Sequence, residues 1–178
     1  MKKLSLIIMA IAIAFNASAQ RYNVGSSYTT RDYYGNRNTT HRNQYGQTTG
    51  TSVSSTDYFG VTTTTHRDNY GNTIGTSTSS TDCFGNTVTT HRDSYGNTTG
   101  TARSTTDYFG NMSTQYSDSY GRSIGTTSTS TDYFGNTTSV HHNQNGYSYG
   151  TSISSVDCFG NRTTLQRSDD SDISIWSW

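Results

Sequence analysis

Asp57-Tyr58-Phe59-Gly60 is a short sequence that returns every 25 residues along this 178-residue chain. Its copies are Asp32-Tyr33-Tyr34-Gly35, Asp82-Cys83-Phe84-Gly85, Asp107-Tyr108-Phe109-Gly110, Asp132-Tyr133-Phe134-Gly135 and Asp157-Cys158-Phe159-Gly160. A second series of glycines keeps the same step, at Gly25, Gly50, Gly75, Gly100, Gly125 and Gly150. A fixed period of about 20 to 50 residues is typical of repeat proteins, in which each unit buries its faces only against its neighbours.

Each unit contains two turn signals with strand-like sequence between them. One signal is the Asp-x-x-Gly step, and the other is the Tyr-Gly step of 68–72. Glycine tolerates a positive φ, and an aspartate carboxylate can accept a hydrogen bond from the backbone two residues further on. The predicted structural turn glycines are Gly60, Gly85, Gly110, Gly135 and Gly160. Segments such as 62–67 and 73–81 are rich in Thr, Ser and Val, which suit strands, and no segment has the 3.6-residue apolar period of a helix.

The longer strand of each unit shows an alternation of period two. The positions of Thr48, Gly50, Ser52 and Ser54 hold only small residues in five copies, whereas those of Gln47, Thr49 and Val53 vary in size. Because successive strand residues face opposite sides of a sheet, we expect the small set to face a tight interior and the variable set to face solvent.

These features predict an all-β repeat protein, folded as a flattened β-solenoid of six 25-residue coils. An antiparallel β-meander is the first alternative, but an open sheet would leave its small-residue face uncovered. A largely disordered chain is the second. The mature chain holds few aliphatic residues, which is typical of disorder, but it lacks the high net charge that usually accompanies disorder.

The chain divides into four parts. Residues 1–19 have the pattern of a secretory signal peptide, with Lys2 and Lys3 before a 12-residue apolar run and Ala17-Ser18-Ala19 at the expected cleavage site. Residues 20–24 lead into the array, and 25–167 hold six repeats, of which the last is incomplete. Residues 168–178 form an apolar tail that ends in Trp178. The apolar run is too short to span a membrane, so we expect no membrane span in the mature chain.

The charge balance does not indicate an electrostatic partner. Lys2 and Lys3 are the only lysines, and the chain contains neither Glu nor Pro. A nucleic-acid-binding protein would be expected to carry a basic stripe, which this chain lacks, so no nucleic-acid partner is predicted.

The repeats resemble two families of secreted bacterial proteins. A signal peptide followed by short Gly-, Asn-, Tyr- and Ser-rich strand units is similar to the curli-type functional amyloid subunits, which stack such units into extracellular fibres. The Asp-x-x-Gly-Asn step, which covers residues 32–161, is similar to the turns of YD-repeat proteins, the wrapping β-sheets of bacterial toxins and surface proteins. The Tyr that precedes Asp in that family is replaced here by Thr56, Thr81, Thr106 and Thr131.

The recurring aspartates are the candidate metal ligands. In a solenoid, neighbouring carboxylates would lie about 4.8 Å apart and repel each other by roughly 1 kcal/mol, which Ca²⁺ between the coils would relieve. The candidate ligands are Asp57, Asp82, Asp107, Asp132 and Asp157. The alternative is that each aspartate closes its own turn. Histidines also recur with the repeat, at His41, His66, His91 and His141. They are either ordinary polar strand residues or ligands for Zn²⁺ or Cu²⁺.

Cys83 and Cys158 occupy the same repeat position three units apart. Three coils of a solenoid would separate them by about 14 Å, beyond the roughly 7 Å Cα separation that a disulfide allows. We therefore expect no bridge within the chain, but the two thiols could link neighbouring molecules.

The expected function is that of a secreted structural or adhesive protein, outside the cell or on the surface of a bacterium, with the periplasm as an alternative. Its expected partners are itself, in extracellular fibres, or components of the cell surface or matrix. No Ser-His-Asp set stands out from the repeat, so we predict neither an enzyme nor a cofactor other than calcium. The alternatives are a calcium-binding protein, a disordered secreted chain, and an ice-binding protein. The last would use flat threonine rows at Thr39, Thr64, Thr89 and Thr114 and at Thr51, Thr76, Thr101 and Thr126.

Overall fold

The computed structural model describes residues 23–168, and every regular element in that range is a β-strand. The predicted signal peptide and all but one residue of the apolar tail lie outside the described residues. Nine-residue and seven-residue strands alternate: β1 (Asn23–Arg31), β2 (Arg37–Asn43), β3 (Thr48–Thr56), β4 (Thr62–Asp68), β5 (Thr73–Thr81), β6 (Thr87–Asp93), β7 (Thr98–Thr106), β8 (Met112–Asp118), β9 (Ser123–Thr131), β10 (Thr137–Asn143), β11 (Ser148–Val156) and β12 (Arg162–Ser168). The all-β prediction is confirmed. Within 23–168 there is no helix long and apolar enough to cross a membrane.

Tight turns with one geometry join consecutive strands. At Asp57, Oδ1 accepts hydrogen bonds from the N–H groups of Phe59 and Val61, both at 2.9 Å. The Gly60 N–H donates to the carbonyl oxygen of Asp57 at 3.1 Å, and Gly60 has a φ of +80°. A side chain would strain this left-handed conformation, so each turn requires glycine. Eleven glycines adopt it, one in each turn.

The sheet closes on itself because β1 pairs with β12 as well as with β2. Ser27 of β1 lies opposite Thr164 of β12 and His41 of β2. The equivalent residue of β11, Ser152, has the corresponding neighbours in β10 and β12. β1 therefore pairs with β12 in the way that each later long strand pairs with the short strand before it. The first repeat thus supplies the missing neighbour of the last.

The predicted six-coil solenoid is wrong. Consecutive strands pair antiparallel with each other, so equivalent residues of neighbouring units are separated by an intervening strand instead of being stacked. The meander alternative has the correct neighbour pairing, but closure supplies what an open meander lacks. In a barrel the opposite wall covers the small-residue face, and no strand edge remains unpaired. The disordered alternative does not describe residues 23–168.

The strands are staggered by two residues per unit. In β3, Gly50 pairs with His41 on one side and with Asp68 on the other. Asp68 lies two residues beyond His66, which is the repeat equivalent of His41. A stagger of constant sign tilts the strands relative to the barrel axis, as closure of a sheet requires.

The barrel interior consists of small polar side chains instead of hydrophobic ones. Ser52 and Ser77 are 6% and 4% exposed, whereas Ile74 and Ala102 are the only buried hydrophobic residues in the described range. The facing prediction is confirmed for Ser52, which is buried, and for Val53, which is 41% exposed.

The facing prediction is wrong at the start of each long strand, where a bulge reverses the alternation. In β3 two consecutive residues, Thr49 and Gly50, lie opposite His41. Thr48, predicted to face the interior, is consequently exposed. Ile74, which is the β5 equivalent of Thr49 and was predicted to face solvent, is 6% exposed.

Close backbone contact explains the glycine that recurs at the bulge. A Cβ on Gly50 would lie 2.4 Å from the carbonyl oxygen of Arg67, and a Cβ on Gly100 would lie 2.6 Å from that of Ser117. Both neighbouring atoms belong to the backbone of the adjacent strand and cannot rotate away. The second glycine series of the repeat is therefore a packing requirement.

Ser77→Leu and Thr78→Leu test the interior assignment as a matched pair. Ser77 is buried and its hydroxyl bonds to two histidines, whereas Thr78 is exposed. We expect Ser77→Leu to lower the free energy of unfolding by about 3 kcal/mol through overpacking and lost hydrogen bonds. Thr78→Leu should change it by about 0.5 kcal/mol or less. Denaturant titration measures both values, and equal losses would contradict the assignment.

Candidate functional site

A chain of hydrogen bonds between histidine and serine side chains runs along the inner wall from β2 to β6. His41 Nε2 lies 2.8 Å from Ser52 Oγ, which lies 2.9 Å from His66 Nδ1. His66 Nε2 lies 2.8 Å from Ser77 Oγ, which lies 2.8 Å from His91 Nδ1. Both nitrogens of His66 thus bind hydroxyls, so neither is left for the carboxylate that orients histidine in a catalytic triad.

The chain is interrupted at Ala102 of β7, which lacks a hydroxyl. It resumes at Thr127, whose Oγ1 lies 2.8 Å from Nδ1 of His141, and His141 Nε2 lies 2.9 Å from Ser152 Oγ. In β12 the histidine position is taken by Gln166, which is 8% exposed. The inner wall is therefore polar around the whole barrel but differs from unit to unit.

Burial keeps His41, His66 and His91 neutral. It lowers the pKa of His41 and of His91. Burial also lowers the pKa of His66 from 6.5 to about 4, with smaller contributions from the neighbouring imidazoles of His91 and His41. At neutral pH each ring can donate through one nitrogen and accept through the other, which suits a chain of hydroxyls that also donate and accept.

A cavity of about 310 Å³ occupies the part of the lumen between β6 and β1. Hydroxyl groups form most of its wall, and the residues with larger side chains are Met112, Tyr116, His141 and Gln166. No Asp or Arg side chain lines it. Ligand pockets are usually predominantly apolar, so this cavity is suited to a ligand with many hydrogen-bonding groups.

Two tyrosines, Tyr116 and Tyr149, lie near the histidine positions of the inner wall. The ring of Tyr149 lies 6.2 Å from that of His141, centroid to centroid. Burial raises the pKa of Tyr149 to about 12 and also raises the pKa of Tyr116. Both phenols therefore stay protonated at neutral pH and can donate hydrogen bonds.

Exposed aromatic side chains crowd one end of the barrel, and we call this surface the aromatic rim. It is formed by the six Asp-x-x-Gly turns and consists of Tyr33, Tyr34, Tyr58, Phe59, Phe84, Tyr108, Phe109, Tyr133, Phe134 and Phe159. Their exposed fractions range from 84% to 98%. In four turns the two adjacent rings meet edge to face, as in Tyr58 and Phe59, whose centroids are 5.6 Å apart. The described chain begins and ends at the opposite end, so it leaves the aromatic rim uncovered.

The aspartates proposed as calcium ligands act within their own turns. In Asp82, Oδ1 accepts from the N–H groups of Phe84 and Asn86, and Oδ2 accepts from the Asn86 side-chain amide, each at 2.9 Å. That amide bond is the main cause that lowers the pKa of Asp82. Asp107, Asp132 and Asp157 make the same bonds, and Asp57 makes the two backbone bonds.

In the barrel, the aspartates that were predicted to bind calcium are too far apart to share an ion between neighbouring units. Equivalent turns are two strand spacings apart, about 9.6 Å, so the carboxylates no longer stack at 4.8 Å. In the part of the chain that the structure describes, no group of three or more His, Cys, Asp or Glu side chains could hold a metal ion. The periodic histidines lie inside the wall, bonded to hydroxyls.

The other predicted residues have the following positions. Cys83 and Cys158 are free and exposed in turns of the aromatic rim. Three units apart in a ring of six, they stand on opposite sides of the barrel, roughly 20 Å apart, which is too far for a disulfide.

The threonine row predicted for ice binding at Thr39, Thr64, Thr89 and Thr114 faces the interior. These residues bond to Thr29, Ser54, Ser79 and Ser104, respectively. The row from Thr51 to Thr126 is half-buried and follows the curved wall, so it forms no flat array.

Sequence reasoning missed the polar lumen and the aromatic rim as surfaces. The period of the histidines and the small residue at the Ser52 position were visible, but only antiparallel pairing of neighbouring strands places them in contact. A scan of family models and searches of curated proteins and of solved structures found no match to this chain. The resemblances to curli-type subunits and to YD-repeat proteins stay predictions.

His66→Gln tests the electrostatics of the wall, because glutamine occupies the equivalent position in β12. The pKa of His66 is lower in the folded state, so the unfolded chain binds more protons between pH 6.5 and pH 4 and stability falls as the pH falls through that window. At about 1.4 kcal/mol per pKa unit, protonation of His66 alone should lower the free energy of unfolding by roughly 3 kcal/mol between pH 6.5 and pH 4. Denaturant titrations at pH 6.5 and pH 4 should show that the free energy of unfolding falls correspondingly less in His66→Gln than in the wild type. The same loss in both proteins would contradict this account.

Proposed function

We propose that this chain is a secreted, non-enzymatic adhesive protein that assembles with itself through the aromatic rim. The observation that carries the proposal is the exposure of the ten rim aromatics, each at 84% or more. Contiguous exposed apolar patches on soluble proteins usually mark interaction sites, and aromatic residues dominate the energetics of such sites. The export signal expected at residues 1–19 supports a role outside the bacterial cell.

The geometry of the rim favours association between identical ends. Six equivalent turns present nearly the same side chains around a ring, so two rims can face each other across a two-fold axis. Cys83 and Cys158 lie in turns of the rim, and a contact of this kind would bring thiols of two molecules together. An oxidising compartment would then allow an intermolecular disulfide to lock the pair.

Longer assemblies would need a second contact at the other end of the barrel. All five turns there carry an exposed tyrosine, namely Tyr45, Tyr70, Tyr95, Tyr120 and Tyr147. This tyrosine end holds fewer aromatic side chains than the aromatic rim, and both termini of the described chain leave from it. We therefore assign the first step of assembly to the aromatic rim.

Serine substitutions at the rim phenylalanines test the proposal. Replacement of Phe59, Phe84, Phe109, Phe134 and Phe159 by Ser should leave the melting temperature nearly unchanged, since these side chains are 84% to 87% exposed. It should abolish the concentration-dependent association that we expect of the unsubstituted protein in sedimentation velocity under reducing conditions.

The matched control replaces Tyr45, Tyr70, Tyr95 and Tyr120 by Ser and should keep the dimer. A wild-type protein that stays monomeric at every concentration would refute self-adhesion. Unchanged association of the phenylalanine variant would place the contact elsewhere.

A further inference from the structure

Three arginines interrupt the repeat at the mouth of the lumen, beneath the aromatic rim. Arg31 ends β1, Arg37 begins β2 and Arg162 begins β12. The positions equivalent to Arg31 hold Thr56, Thr81, Thr106, Thr131 and Val156, and those equivalent to Arg37 and Arg162 hold Thr62, Thr87, Met112 and Thr137. The substitutions therefore place three positive charges on one side of an end of the barrel where the other charged groups of the repeat are the turn aspartates.

The three arginines stand on neighbouring strands without an acidic partner. The barrel order is β12, β1, β2, and Arg31 pairs directly with Arg37. Like charges directly opposite each other destabilise an antiparallel pair. The one salt bridge in the described range joins Arg122 to Asp118, and the nearby carboxylate of Asp32 closes its own turn. A bound anion would remove this repulsion.

Strand alternation directs these arginines toward the lumen. Arg31 lies four residues after Ser27, and Arg162 lies four residues before Gln166, and both Ser27 and Gln166 line the cavity. Residues four apart on a strand share a face. Arg162 Nη1 also donates to Thr137 Oγ1 of β10 at 3.3 Å, reaching past β11 along the same face.

A second and independent observation comes from the cavity wall. Gln166 is 8% exposed and lines the cavity, and its side-chain amide can both donate and accept hydrogen bonds. Ligand hydroxyls also donate and accept hydrogen bonds, so this amide suits a polyhydroxylated ligand. The surrounding wall offers hydroxyls and no Asp or Arg side chain.

We propose that the lumen binds a small polyhydroxylated molecule that carries one anionic group, such as a sugar acid. The hydroxyls of the ligand bind Gln166 and the Ser and Thr side chains, and its carboxylate binds the guanidinium groups at the mouth. Arginine forms paired hydrogen bonds with carboxylates, which suits this role. A volume of about 310 Å³ has room for about ten water molecules and lies at the lower end of the range for ligand pockets, which suits a monosaccharide.

Titration calorimetry with glucuronate, glucose and inorganic sulfate tests the proposal, because glucuronate differs from glucose by its carboxylate. We expect glucuronate to bind at least tenfold more tightly than either glucose or sulfate. Arg37→Thr and Arg162→Thr, which restore the residue of other units, should weaken glucuronate binding at least tenfold. Gln166→Leu should weaken it as well, and Arg67→Thr, at an exposed arginine of β4, should leave it unchanged.

Melting temperatures without ligand establish that each variant is folded, and Arg37→Thr is expected to be at least as stable as the wild type because a like-charge pair is removed. Absence of glucuronate binding would overturn the proposal. So would equal binding of glucose or of sulfate, or a glucuronate affinity that none of the lumen variants changes. The titrations are repeated in the variant with five Phe→Ser substitutions, so that a failure of self-association is distinguished from a failure of ligand binding.

Discussion

The pairing of β1 with β12 is the constraint on which the rest of the structure depends. Without it, two strands would expose unpaired backbone groups and the inner face would open to water. The described range buries only two hydrophobic residues, Ile74 and Ala102, so hydrophobic burial contributes little. A hydrogen bond contributes only about 0.5 to 1.5 kcal/mol net, compared with about 1.5 to 3 kcal/mol for burial of a large apolar side chain. A barrel of this composition therefore needs a complete ladder and satisfied side chains.

Closure also explains why the interior residues are small and hydroxylated. Side chains from neighbouring strands meet in pairs on the inner face, as Ser54 and Thr64 do at 2.8 Å between hydroxyl oxygens. The same pair recurs at 2.8 Å as Ser79 with Thr89 and as Ser104 with Thr114. Each hydroxyl both donates and accepts, so a ring of Ser, Thr and neutral His can be satisfied without charges. The lumen is thus a consequence of the repeat, and its departures from the repeat, at Gln166 and the three arginines, carry the binding proposal.

The local structure could be predicted from the sequence, whereas the closure could not. Turn chemistry at Asp57 and Gly60 is decided within five residues, and the small-residue positions around Ser52 predict the buried face. The bulge at Gly50 escaped prediction because it depends on the backbone of the facing strand, at Arg67. Stacking of like residues and pairing of consecutive strands produce the same repeat in the sequence. Only the number of units and the stagger between strands decide whether such a sheet closes. The aromatic rim and the polar lumen follow from closure, so sequence reasoning named their residues without bringing them together.

The distance between β1 and β12 tests closure most directly. Tyr28 and Thr163 are cross-strand partners in the closed barrel. Nitroxide labels on cysteines at these positions, with Cys83 and Cys158 replaced by Ser, report that distance in pulsed electron paramagnetic resonance. Closure predicts a single population at roughly 20 Å or less, since the labelled residues are direct cross-strand neighbours. An open meander would separate them by eleven strand spacings, roughly 50 Å, and a population at that distance would contradict the barrel.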